Sequence, residues 1–86
     1  MARIMVDLHP VYNNSRAIDQ ALDAAFSKAL DHKIGEIEII TGKGSGQLRK
    51  RVHRYLQMPG VLRHIHRIEN DFKNSGRVFV YFRFNR

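Results

Sequence analysis

The chain has no cysteine and no tryptophan among its 86 residues. Without thiols there are no disulfides, no thiolate metal centre and no dithiol redox site. This fits a reducing compartment, and a cytoplasmic protein is expected. No apolar run approaches the roughly 20 residues that a membrane-spanning helix needs. The first ten residues carry Asp7 and His9 and lack the apolar stretch of a secretion signal. Acidic residues are also scarce: 8 Asp+Glu face 15 Lys+Arg, a formal charge of +7.

The length leaves room for one small domain, read here as residues 1–86 with a core over about 3–84. A chain of this size buries only about 60–65% of its unfolded surface, so no large enclosed cofactor cavity fits inside it. Hydrophobic residues at 43% and charged residues at 27% are those of a folded globular chain, not a disordered one.

The charge is unevenly placed. Residues 1–40 hold four Lys+Arg against six Asp+Glu, a net −2. Residues 41–86 hold eleven against Glu69 and Asp71, a net +9, which together return the +7. A basic half of this density attracts polyanions, nucleic acid first among them. The helix expected to be most basic has no Trp or Phe on its apolar side, which disfavours a membrane surface.

Apolar periodicity gives the elements. Arg3 to Leu8 alternates, with Ile4, Val6 and Leu8 on one face, and reads as a strand. Pro10 ends it, and Tyr12-Asn13-Asn14-Ser15 is a polar turn whose Asn14 or Ser15 caps a helix. From Ser15 to Asp31 the stripe Ile18, Ala21, Leu22, Ala25, Phe26, Ala29, Leu30 has helical spacing. Glu36 to Ile40 is a second strand. Gln47 to Gln57 is a second helix with Leu48, Val52, Tyr55 and Leu56 inward, ended by Met58-Pro59-Gly60. Val61 to Ile68 reads as a third strand with imperfect alternation, Lys73 to Gly76 as a turn, and Arg77 to Phe84 as a fourth strand.

The order β-α-β-α-β-β makes the first two strands a parallel pair and the last two a hairpin. Two amphipathic helices then bury their stripes on one sheet. The expected fold is a two-layer α/β sandwich with a mixed four-stranded sheet and two helices.

Chemistry concentrates at the loop Thr41-Gly42-Lys43-Gly44-Ser45-Gly46, between a strand and a helix start. Glycines there let backbone N–H groups approach an anion, and the helix end adds partial positive charge. Its spacing matches neither the Walker A loop nor the dinucleotide fingerprint. By itself the loop is an anion site of undefined type, or a tight turn that binds nothing. Arg49, Lys50, Arg51, His53 and Arg54 follow at once. An anion loop followed by a basic helix suits a phosphodiester backbone better than a free nucleotide. Each cation alone reads as solvation; five within six residues do not.

Asp7 and His9 stand two apart at the end of the first strand, where a common side-chain direction is expected. Ligands of open α/β sheets bind beyond the carboxyl ends of parallel strands, which places this pair beside the glycine loop. A carboxylate can orient an imidazole, hold a metal or act as base, and histidine can shuttle the proton. His64 and His66 are read on one strand face as an extension of the basic surface, a metal site being the lesser alternative. Phe79 and Tyr81, near Arg77 and Arg83, are positioned to stack bases on an open sheet face.

Together these pieces resemble the Smr (small MutS-related) domain, whose signatures are an L-D-x-H motif and an H-G-x-G-x-G loop before an L-R-x-x-V-x-x-[YW]-L helix. Here they read Val6-Asp7-Leu8-His9, then Thr41 to Gly46, then Leu48-Arg49-Lys50-Arg51-Val52-His53-Arg54-Tyr55-Leu56. The resemblance runs from about Ile4 to Phe82 and includes the late Gly76 with its apolar strand. It implies a fold similar to the C-terminal domain of translation initiation factor 3. It also implies nucleic-acid binding, with endonuclease or nicking activity on DNA or RNA in several members. The catalytic residues it implies are Asp7, His9 and Lys43; the nucleic-acid contacts are Gly42, Lys43, Gly44, Ser45 and Gly46 with the basic helix. No cofactor is required, or a divalent cation (Mg²⁺ or Mn²⁺) sits at Asp7. The same loop and helix could instead serve a binding module without chemistry. Thr41 stands where the family often has histidine, and Pro10 where it has glycine. The partner is nucleic acid rather than membrane, and a monomer is compatible with every role.

Overall fold

The computed structural model describes residues 3–42, 46–70 and 76–84. Strand β1 spans Ile4–Asp7 and is followed by a 3₁₀ turn, His9–Val11. Helix α1 spans Ser15–His32, β2 Glu36–Ile40, α2 Gln47–Leu56, α3 Pro59–Leu62, β3 Ile65–Asn70 and β4 Arg77–Phe82. The strands form one mixed sheet in the order β1-β2-β4-β3. β1 and β2 are parallel, and both pairings of β4 are antiparallel. The expected element order and sheet therefore hold, with one addition, the single-turn helix α3.

That helix replaces the start of the expected third strand. Pro59 occupies the first helical position, where its fixed φ is pre-set for a helix and its missing N–H costs nothing. The strand begins only at Ile65. Its imperfect alternation has a cause: Ile65 faces Phe82 and Arg67 faces Tyr81, so His66 is an extra residue at a β-bulge. His64 precedes the strand, and the two histidines do not share a regular strand face. Among the described residues no three His, Cys, Asp or Glu side chains cluster as metal ligands.

α1 begins where Asn14 Oδ1 accepts the Ala17 N–H at 3.0 Å, a side-chain cap. It ends on Lys33 in the left-handed region at φ 53°, a conformation usually left to glycine. Its inward stripe is Ile18, Leu22, Ala25, Phe26 and Ala29. α2 adds Val52, Tyr55 and Leu56, and the sheet contributes Ile37, Ile39, Val78, Val80 and Phe82. Phe26 joins the layers, its ring centroid 5.4 Å from Tyr55 and 5.2 Å from Phe82. Fully buried leucines such as Leu22 and Leu56 stabilise the fold by about 1.5–3 kcal/mol each.

The opposite sheet face is covered by its own long side chains. Glu38, only 2% exposed, binds both Arg3 and Arg77, and Arg3 also reaches Glu36 at 3.2 Å. Arg67 lies over the Tyr81 ring at 4.7 Å. Phe79 and Tyr81 are on this face, partly buried, while Val78, Val80 and Phe82 are core. No helix among the described residues is long and apolar enough to cross a membrane.

Candidate functional site

Because β1 and β2 are parallel neighbours, their carboxyl ends emerge together. Asp7 stands opposite Ile40 in the register, and the Leu8 N–H continues the ladder to the Ile40 carbonyl at 2.9 Å. Leu8 is fully buried and anchors the strand end in the core. The chain then leaves the extended conformation, Leu8 having φ −91° and ψ −6°. Strand alternation therefore stops before His9, and the expected common direction of Asp7 and His9 has no strand to enforce it. A hydrogen bond links them instead: the His9 backbone N–H donates to Asp7 Oδ1 at 3.0 Å. Asp7 thus fixes the turn that carries His9, as short carboxylate side chains do at turns. Both residues are exposed.

The glycine loop meets this turn. Gly42 lies in the left-handed region at φ 80°, and a Cβ there would sit 3.2 Å from His9 Cδ2. The imidazole therefore rests against the glycine backbone, in space that any other residue would occupy. Behind Gly42 stands Gly76, where a Cβ would fall 3.1–3.3 Å from three backbone atoms of Gly42. The Gly76 carbonyl accepts from the N–H of Thr41 at 2.7 Å and of Gly42 at 3.2 Å. Thr41, 5% exposed, turns its hydroxyl to the Gly42 carbonyl at 3.4 Å. Three chain segments thus lock at one point: the end of β1, the end of β2 and the start of β4. In the sequence Gly76 belongs to a turn and to the family resemblance, and neither shows this backbone contact.

Lys43, Gly44 and Ser45 lie outside the described residues, as does the expected turn at 73–76 apart from Gly76. The chain is described again at Gly46, which at φ 92° precedes α2 and accepts the Lys50 N–H at 3.0 Å. Among the described residues no side chain caps this helix.

The five basic residues of α2 separate into groups. Arg51 pairs with Asp19 of α1 at 3.2 Å, and His53 Nε2 lies 3.2 Å from Asn70 Oδ1 of β3. These two tie the helix to its neighbours. Arg49 is half-buried, whereas Lys50 and Arg54, one turn apart, are exposed. Lys50 and Arg54 line a cleft of about 250 Å³ with Gln47, Tyr12, Asn13 and Ser15. On the far side of Arg51, Tyr55 Oη donates to Asp23 at 2.6 Å. Burial first, and then this carboxylate, push the Tyr55 phenol well above its usual pKa.

Chemically, the site offers an exposed imidazole held against a glycine backbone, one exposed carboxylate, and a helix whose exposed Lys50 and Arg54 line a cleft. Among the described residues Asp7 belongs to no group of three His, Cys, Asp or Glu side chains that could hold a metal ion.

No curated protein matches the chain. A solved structure, the crystal structure of the Smr domain of Thermus thermophilus MutS2, superposes with a TM-score of 0.71. It shares 15% sequence identity, over 96% of this chain and 99% of that one. The Smr domain family matches residues 6–83, from the residue before Asp7 to one residue past the end of β4. A match of that extent includes both signature motifs and the sheet that joins them: the chain belongs to the Smr domain family.

Proposed function

We propose that this Smr domain binds the phosphodiester backbone of DNA or RNA and cleaves it at the junction of the Asp7–His9 turn and the glycine loop. The observation that carries the reading is the His9 ring lying on Gly42, at the head of the loop that leads into the basic helix. A phosphate bound at that loop would lie beside the imidazole. His9 then moves the proton: it accepts one from the attacking oxygen, or donates one to the departing oxygen, a role that contributes typically 10²–10⁴-fold. Asp7 positions His9 by holding its backbone. Lys43 and the loop N–H groups stabilise the charge that develops on the phosphoryl oxygens. Lys50 and Arg54 hold the flanking backbone.

A second reading is binding without cleavage. It is favoured by Asp7 Oδ1 accepting from a backbone N–H rather than from the imidazole, and by Thr41 where a second imidazole would stand. One assay separates the two. Supercoiled plasmid and structured RNA are incubated with the wild type, Asp7→Asn, His9→Ala and Lys43→Ala, with and without EDTA. Cleavage by the wild type that falls with His9→Ala supports the nuclease reading. Cleavage indifferent to both Asp7→Asn and His9→Ala refutes the site. If nothing is cut while Lys43→Ala weakens a salt-sensitive complex, the domain is a binding module. The EDTA arm reads the need for a divalent cation.

A further inference from the structure

We infer that the cleft between the Tyr12-Asn13 turn and α2 holds an unpaired nucleotide, its base stacked on Tyr12 and its phosphates on Lys50 and Arg54. The inference rests on the nucleic-acid reading above and gives it a substrate class: strands with at least one unstacked base next to the cleavage point.

Tyr12 is 68% exposed, the largest exposure among the big hydrophobic side chains of the described residues. Its side chain makes no hydrogen bond or ring contact with another described residue. A solvent-facing ring on a fixed backbone is a stacking platform that any base can use, because every base has a π-face. The backbone is fixed: Pro10 presets the 3₁₀ turn, the Val11 N–H bonds the Leu8 carbonyl at 3.0 Å, and the Asn14 N–H bonds the Val11 carbonyl at 3.0 Å. A pre-ordered platform loses little freedom on binding.

Two further observations place the ring relative to the rest of the site. In 3₁₀ geometry residues three apart project from the same side. Tyr12 follows His9 by three and keeps helical angles, φ −58° and ψ −26°. His9 lies on Gly42, and Tyr12 lines the cleft with the first turns of α2. Lys50 and Arg54 stand on the α2 side of that cleft, and Asn13 and Gln47 add amides that can meet a base edge. At about 250 Å³ the cleft is smaller than the roughly 300–1,000 Å³ of enclosed small-molecule sites, yet it is open. It therefore suits one flat base whose strand continues outside, with charge complementary to its phosphates. A blunt duplex keeps its bases stacked and cannot offer one.

The test uses the whole chain and short labelled oligonucleotides of one sequence, in DNA and RNA versions, single-stranded and as a blunt duplex, with 2-aminopurine in the single strands. The variants are Tyr12→Ala, Tyr12→Phe and Lys50→Ala. Tyr12→Ala is expected to weaken single-strand binding by about 5- to 150-fold, while Tyr12→Phe stays within about twofold, since stacking needs the ring and not the hydroxyl. Blunt-duplex affinity should not respond to either. The 2-aminopurine emission should be quenched by the wild type and Tyr12→Phe and not by Tyr12→Ala. Lys50→Ala should lower the salt slope by about 1, and the Tyr12 variants should leave it unchanged. Single-strand binding indifferent to Tyr12→Ala overturns the inference and leaves the nucleic-acid reading standing, as does equal loss on single strands and duplex. A wild type that binds no oligonucleotide overturns both.

Discussion

Substituting Gly76 by alanine tests the contact on which the site is built. The added methyl would arrive 3.1 Å from the carbonyl carbon, 3.2 Å from Cα and 3.3 Å from the nitrogen of Gly42. All three are backbone atoms, so no side chain can swing aside, and the loop must retreat by a few tenths of an ångström. Retreat is opposed by the two hydrogen bonds that bring Thr41 N–H and Gly42 N–H to the Gly76 carbonyl. Loosening one of them costs about 1 kcal/mol, and overpacking of a tight contact costs about 1–3 kcal/mol. A loss of about 2–3 kcal/mol follows, which for a domain of this size lowers Tm by roughly 10–20 °C. Because His9 rests on the other side of Gly42, its ring must also shift. Thermal and urea unfolding followed by circular dichroism measure the first effect, and the histidine ring resonances in NMR spectra measure the second. Gly60→Ala is the control, since nothing lies within 4 Å of the added methyl and it sits in a helical turn. If Gly76→Ala melts within about 2 °C of the wild type and the His9 resonances stay in place, the three-segment lock is wrong.

Two further substitutions probe the scaffold. The Tyr55 phenol, raised by burial and by Asp23, stays protonated in the folded chain at pH values where the unfolded chain has lost that proton. Its contribution is fully present below about pH 10, and stability should fall as pH rises from there toward the raised folded value. Tyr55→Phe should remove that part of the alkaline loss while lowering stability by about 1 kcal/mol at neutral pH; urea midpoints that run parallel for both proteins from about pH 8 to pH 11 would refute it. Lys33 holds a left-handed φ of 53° at the end of α1. Lys33→Gly should relieve about 0.5–1 kcal/mol and raise Tm by about 2–8 °C, and a lowered Tm would contradict the strain.

Much of this structure is legible in the sequence where one local rule decides the outcome. The α1 stripe and its Asn14 cap are set by neighbours three and four residues apart, and α1 and β2 run nearly as read. Parallel pairing of β1 and β2 follows from the helix between them, and it alone brings Asp7 and His9 to the glycine loop. Illegible features depend on partners far along the chain or on competing local signals. Pro59-Gly60 reads as a helix stop, yet a proline at the first helical position starts a turn equally well. The His66 bulge is a property of the β3–β4 pairing and not of either strand. Arg51 and His53 look like two more cations for a polyanion until Asp19 and Asn70 take them up. Gly76 is part of the family resemblance, but its physical reason, the approach of the Gly42 backbone, lies 34 residues away along the chain. The D-x-H spacing allows Asp7 to orient the imidazole, hold a metal or act as base, but gives no sign that the turn at Leu8 presents the His9 N–H to it.

If the imidazole resting on Gly42 moves the proton in phosphodiester cleavage, its removal must slow the chemistry and spare the binding. The most direct measurement is the single-turnover cleavage rate of a saturating, labelled nucleic acid by the wild type and by His9→Gln, with affinity measured on the same substrate. The rate should fall by about 10²–10⁴-fold while affinity changes by less than about threefold, as expected of a group that acts on the reacting atoms while Lys50 and Arg54 hold the backbone. A His9→Gln protein that cleaves at the wild-type rate would contradict it.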